Sequence, residues 1–372
     1  MKRIILFAVI LLGAQNYASA QLRVKTGAYQ GYEWNIFRNP ESLIQQSDTL
    51  GRNQLWSNSS YNELFINTDY IKKWGNSRIK LSGDISGNIY HQQNSAQREF
   101  YKATASFRTK YASRKYFEFS PSFSRRKQPN IGQSDVIFRS RFSYYQVATP
   151  LNFDFYLKKQ RWLKLETSYR YKAYDANGGE QTDYHSFSAQ ALYKKKWKGS
   201  IQRELELFAE WSTRNQTTMD FATATRPERI TNRSFTTYRF GASLLFESVK
   251  KRFRIEFPVS YKMLSDTPSE RLNYTQIEGG TKLSFFVKNV RVYQSFSATI
   301  RDFSNLTITD NELLNYNYIR STTTVTIPFF NRFVYTVKGS LIRRLSNRNT
   351  ITSSAFRGYL SSYIETGISI NL

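Results

Sequence analysis

Basic residues in this chain recur at even spacings inside short, regular stretches. YKATASFRTKY (101–111) carries Lys102 and Arg108, WLKLETSYRYK (162–172) carries Lys164, Arg170 and Lys172, and RFRIEFPVSYK (252–262) carries Arg254 and Lys262. In an extended chain successive side chains point to opposite faces, so residues an even number apart share one face. Fixed cations ranked along a face attract anions and tune their passage. On the same parity rule Arg239, Lys282, Arg291 and Lys338 join that face, giving eleven basic candidates. Asp84, Glu118, Glu166, Glu206, Glu256 and Glu278 lie on it as well. Two readings follow: a basic wall that draws anions, or a lattice of pairs that neutralises itself.

Other chemistry has little to work with. The chain has two histidines and no cysteine. His185 lies in Asp183-Tyr184-His185-Ser186, which supplies the types needed for an acid–base pair beside a hydroxyl nucleophile. One such stretch equally describes polar surface, and the reading is that the chain is not an enzyme. No cysteine, two distant histidines and no calcium-type acidic loop argue against a metal site. Gly279-Gly280 lacks the Gly-Lys continuation of a phosphate loop, and no cofactor is implied. Lys and Arg number 54 against 28 Asp and Glu, a formal net charge of +26. That excess suits an anionic partner, but no nucleic-acid motif accompanies it.

The elements that must position the basic residues are strands. In FEFSPSFSRRK (117–127), Phe117, Phe119 and Phe123 face one way, and Glu118, Ser120, Ser122 and Ser124 the other. The same alternation runs through RIKLSGDISGNIY (78–90) and most of the chain, with no long amphipathic helix. Short basic turns near residues 75, 114, 160, 198, 250, 288 and 330 alternate with longer polar links such as 36–58, 127–141, 214–232 and 264–272. The scheme predicts sixteen strands, from 22–35 to 356–371, among them 116–126, 142–157, 200–213 and 233–247, with fourteen or eighteen left open. Pro121 and Pro258 fall inside strands, where a local bulge is expected.

Composition decides what meets the apolar faces. The chain holds 26 Tyr and 28 Phe yet has a mean hydropathy of −0.57, as expected when apolar and polar residues alternate. Residues 1–20 read as a cleaved signal peptide: Lys2-Arg3, the run IILFAVILLG, then Ala18-Ser19-Ala20. Beyond it no apolar run reaches the about 18 residues of a membrane helix. Sixteen half-apolar strands without covering helices point to lipid as the outer partner, because only a closed barrel leaves no unpaired edge in a bilayer. A secreted sandwich or propeller is the soluble rival. Residues 21–372 are therefore read as one all-β domain, a transmembrane antiparallel up-and-down β-barrel. Tyr111, Tyr116, Trp162, Trp197 and Trp211 are candidates for aromatic girdles at the membrane interfaces. In the closing ETGISINL, Ile364, Ile368, Ile370 and Leu372 share the outward parity, the pattern of a final strand read by outer-membrane insertion machinery.

The segment GYEWNIFRNPE (31–41) resembles the first strand and loop of a porin-like β-barrel family of Gram-negative outer membranes. The resemblance implies an outer-membrane location and, in some members, an association with polysaccharide export. The expected function is a porin-like channel for small, preferably anionic solutes. The alternative is a non-conducting barrel that serves as a partner in polysaccharide or protein export.

Overall fold

The computed structural model describes residues 20–41, 43–45, 48–93, 96–128, 143–157, 160–175, 183–220, 229–307, 312–347 and 358–372. The predicted signal peptide lies outside them except for Ala20, and so do most of the links 127–141 and 346–355. Sixteen antiparallel strands form one closed barrel. The first eight are β1 (Ala20–Trp34), β2 (Ser59–Trp74), β3 (Ser77–Tyr90), β4 (Arg98–Ala112), β5 in two parts (Lys115–Phe119 and Ser122–Lys127), β6 (Tyr144–Leu157), β7 (Arg161–Tyr174) and β8 (Tyr184–Trp197). They continue as β9 (Ile201–Asp220), β10 (Arg229–Ser248), β11 (Phe253–Thr267), β12 (Tyr274–Val287), β13 (Val290–Thr307), β14 (Leu313–Phe329), β15 (Phe333–Ser346) and β16 (Tyr359–Asn371). Each strand pairs with its sequence neighbours, and β1 closes on β16 from Lys25↔Asn371 to Trp34↔Ser362.

That seam depends on glycine. Tyr29 stands opposite Gly367, and a Cβ at Gly367 would lie 2.1 Å from the Tyr29 ring. Gly31 sits between Tyr61 and Glu365 in the register, and its bare backbone lets the Tyr61 hydroxyl reach over it to the Glu365 carboxylate, 2.7 Å away. A Cβ at Gly31 would come within 2.6 Å of the Tyr61 ring. Any side chain there would break the reach.

The convex face is apolar and exposed. Along β11 the outward residues Phe253, Phe257, Val259, Tyr261 and Met263 are each more than a third exposed, as are Leu81, Ile89, Phe240, Ile277, Ile300, Ile364 and Ile368 on other strands. From Phe253 to Met263, at about 3.3 Å per residue and a tilt of about 40°, such a band stands about 25 Å tall, the height of a hydrocarbon core. A soluble monomer does not leave so continuous an apolar belt in water. The barrel therefore crosses a membrane, with lipid against this face. Tyr111, Trp197 and Trp211 lie on it as expected of girdle residues. Tyr116 and Trp162 do not: Tyr116 is opposite Asp154 beneath Arg108, and Trp162 lies beneath Lys194, both on the other face. Trp162 shares the parity of Lys164 and Glu166, so the alternation rule had placed it inside already.

Tight connections join the strands at one end, such as the two-residue turns Gly75–Asn76 and Lys288–Asn289, where Gly75 and Lys288 take positive φ. Lys194, Lys195 and Lys196, just before the turn near residue 198, are strand residues of β8. Lys194 and Lys196 pair with Glu204 and Glu206 of β9, while Lys195 lies over Trp197. At the other end, β9 and β10 run past the expected 200–213 and 233–247 and pair out to Asp220↔Arg229. The hydrogen-bonded ladder needs only backbone, so it continues where the apolar alternation has stopped. Neither proline makes a bulge. Ser243↔Pro258 continues the register of its neighbours, and Phe107↔Phe119 and Thr104↔Ser122 keep one register across Pro121. A proline removes one donor only, and the flanking bonds hold the ladder; the Pro121 carbonyl still accepts from Ala105 N–H at 3.0 Å.

Candidate functional site

Side chains that reach past an intervening strand must lie on the concave face, where they converge. Tyr90 donates to Glu33 across β2, Tyr61 to Glu365 across β1, and Arg108 to Asp154 across β5. The polar face is thus the interior. All eleven basic candidates fall on it by register. Five meet carboxylates: Arg108 with Asp154 (2.9 Å) and Glu118, Lys164 with Glu166, Arg254 and Lys282 with Glu256, and Lys338 with Glu365 (3.0 Å). Arg239 donates to Ser260 and Arg291 to Ser284. Lys172 lies 3.8 Å from the centre of the Tyr144 ring, and Lys262 lies 5.4 Å from that of Tyr274. Lys102 and Arg170 have no ion-pair partner among the described residues.

Among the described residues, two cavities lie in the interior at the long-link end, each beside a small apolar cluster. The first, about 520 Å³, lies along β15, β16 and β1–β5. Its cluster of Ile36, Phe37, Tyr61, Tyr90 and Ala96 is made by a turn folded inward after β1. Asn35, fully buried with φ of 53°, organises that turn. Its Nδ2 donates to Asn39 and Leu360 carbonyls, its Oδ1 accepts from Asn39 N–H, and its own N–H donates to Asn58. Asn tolerates the left-handed region and carries both donor and acceptor, as this turn requires. The link 36–58 thus begins as a plug against the wall, and Arg52–Leu55 form one helical turn with Leu55 fully buried. Four cations line this cavity against three carboxylates, and every carboxylate is engaged: Glu33 by Tyr90, Glu63 by Asn88, Glu365 by Tyr61 and Lys338.

The second cavity, about 610 Å³, runs along β7–β15. Five cations, Arg170, Arg214, Lys262, Arg301 and Arg344, line it against one carboxylate, Glu210. Its aromatics face inward and support the arginines. Arg214 lies 4.3 Å from the Phe235 ring centre and 5.3 Å from that of Tyr184; Arg301 lies 4.3 Å from Tyr274 and donates to Gln276; Arg344 lies between Tyr316 and Tyr359. Stacking of this kind fixes the guanidinium plane and leaves its N–H edges for an acceptor. Arg214 Nε is shut from solvent with no acceptor among the described residues, a loss of about 1–3 kcal/mol for a buried donor. Arg233, nearby, is matched to the fully buried Asp266, and it stacks over Phe235.

The sequence reading omitted Arg214, Arg301 and Arg344. Arg301 shares parity with Arg291, and Arg344 with Lys338, so the signal was present. Arg214 fell just past the expected end of β9. The inward aromatics were the larger omission, because aromatic residues were assigned to the lipid face.

In the histidine stretch, Asp183 and His185 both lie beside Tyr171, whose hydroxyl donates to Asp183 and whose ring centre is 4.7 Å from that of His185. Asp183 accepts the Tyr174 N–H, while His185 turns to the outer face, where its Nδ1 is 2.6 Å from the Tyr169 hydroxyl. His91 contacts Asn62.

No protein-family model matches the chain, including over the segment 31–41, and no curated protein matches it in sequence. Solved structures similar to it are outer-membrane proteins. The outer membrane channel DcaP of Acinetobacter baumannii is 10% identical, with 96% of this chain and 99% of that chain covered and a TM-score of 0.47. A loop-deletion form of OmpT, an outer membrane protein of Vibrio cholerae, is 8% identical over 95% and 100% of the two chains, with a TM-score of 0.46. The siderophore receptor PirA of Pseudomonas aeruginosa is 9% identical over 95% and 80%, with a TM-score of 0.45. At such identities the interior side chains are this chain's own.

Proposed function

We propose that the protein is a porin-like channel of the outer membrane that passes small solutes and favours anions. The observation that carries this reading is the interior charge. Arg170, Arg214, Lys262 and Arg301 line one cavity with no ion-pair partner among the described residues. A sixteen-strand barrel is wide enough to enclose water, and unmatched cations on its wall raise the local concentration of anions. The apolar belt, the closed ladder and the polar interior all suit such a channel. Single-channel recording of the refolded barrel in a planar bilayer, with the reversal potential under a salt gradient, tests it. Steady conductance with anion preference is the expected result. Cation preference would overturn the charge assignment. Silence from a verified barrel would move the protein to the alternative, a partner element in polysaccharide or protein export.

A further inference from the structure

The cavity along β7–β15 has more structure than a diffuse positive field requires. Several interior cations elsewhere are answered by carboxylates: Arg108 by Asp154, Lys194 by Glu204 and Glu206, Arg233 by Asp266, Lys338 by Glu365. Here Arg170, Arg214, Lys262 and Arg301 meet no carboxylate among the described residues, and beside the single Glu210 the polar lining is mostly serine and threonine. The flat faces of Tyr184, Phe235, Tyr274 and Tyr316 are each occupied by a guanidinium or ammonium group. A solute ring therefore finds few free aromatic faces to stack on. What the wall offers is a row of oriented N–H edges above a floor of hydroxyls, Ser168, Ser186, Ser188, Ser212 and Thr237.

Resting on the channel reading, we infer that this cavity is a binding site for hydroxylated solutes carrying two or more oxyanion groups, such as sugar bisphosphates. Two oxyanions engage separate arginines, because Arg214 on β9 and Arg301 on β13 belong to strands four apart. The solute's hydroxyls exchange hydrogen bonds with the serine floor. A guanidinium already held by stacking loses little freedom on binding, so the contact with each oxyanion is strong for its size. A volume near 610 Å³ lies within the range of small-molecule sites. The other cavity, where three carboxylates offset four cations, gives the same solute's second charge little to bind.

The test is binding of fructose 1,6-bisphosphate to the full-length barrel in detergent by isothermal titration calorimetry, with fructose and inorganic phosphate as comparison probes. Saturable binding of the bisphosphate, weaker binding of phosphate and none of fructose are expected. Affinity should fall roughly tenfold or more in the Arg214→Gln/Arg301→Gln variant and less in the charge-conserving Arg214→Lys variant, which keeps the charge but not the fork. Neutralising Lys250 and Lys251 in a tight turn should leave affinity unchanged. Equal losses in the turn and cavity variants, or equal affinity for phosphate and bisphosphate, would overturn the site. The same solute should block current in single-channel recordings. Binding without any conductance would sink the channel and keep the site; conductance with no saturable binding would sink the site and keep the channel. If the double variant does not fold, the wild-type ranking of the three probes and the Arg214→Lys affinity still decide.

Discussion

Two walls of the same barrel use the same alternation to different ends. On the wall of β15, β16 and β1–β5, Arg108 and Lys338 pair with carboxylates and tyrosine hydroxyls close on Glu33 and Glu365, beside an inward-folded turn. Around the cavity on the wall of β7–β15, arginines stack on aromatic rings and, among the described residues that line it, Glu210 is the one carboxylate. Both walls are polar, basic and rich in tyrosine, so composition does not tell them apart. What differs is the lining of the two cavities: three carboxylates beside four cations in one, a single carboxylate beside five in the other. The first arrangement spends its charges on rigidity. The second leaves charge directed at whatever enters the lumen.

The sharpest way to break the paired wall is Glu365→Leu. It leaves Lys338 and the Tyr61 hydroxyl facing an apolar side chain, and stability should drop by about 2–4 kcal/mol, read from the urea midpoint of the refolded barrel. Next comes Asn35→Ala, which removes the hydrogen bonds of a buried turn and puts alanine at positive φ. A loss of about 2 kcal/mol local to the turn is expected, seen as faster proteolysis between residues 41 and 58 with the barrel itself intact. A carboxylate can also be given to the basic wall. Ser212→Glu should pair with the neighbouring arginines and lower the anion-to-cation permeability ratio about threefold, measured by reversal potential. Glu210→Gln should shift that ratio the other way by less than about twofold, since it removes a single charge. The smallest effect belongs outside both walls: Lys250→Gln with Lys251→Gln should change stability by less than about 0.5 kcal/mol and leave selectivity unaltered.

The sequence made the barrel legible because lipid enforces its pattern. Every second residue in the membrane must be apolar, and Phe117, Phe119 and Phe123 obey. The inner face is under no such rule. Parity placed Arg254, Glu256 and Lys282 inside but could not tell that Arg254 and Lys282 share one carboxylate, because partners depend on register between strands. Above the lipid the rule lapses altogether, which is why Arg214 escaped notice at the end of β9. Phe235 and Tyr274 were hidden for the opposite reason: an aromatic reads as lipid-facing until it is found beneath a guanidinium. The turn at Asn35 left its trace only as the order of residues in NIFRNP, where two asparagines four apart bond each other.

The glycine-rich seam has a consequence for the order of assembly. The pairs that close the cylinder, such as Lys25↔Asn371 and Tyr29↔Gly367, join the first strand to the last, nearly the full length of the chain apart, whereas every other ladder joins neighbours. Local hairpins can therefore zip early, and the seam must form last. Until Tyr359–Asn371 docks, β1 and the newest strand each present a row of bare amides and carbonyls that hydrocarbon cannot satisfy. A chain that has lost its final strand is thus an open sheet with two sticky margins, not a slightly smaller cylinder.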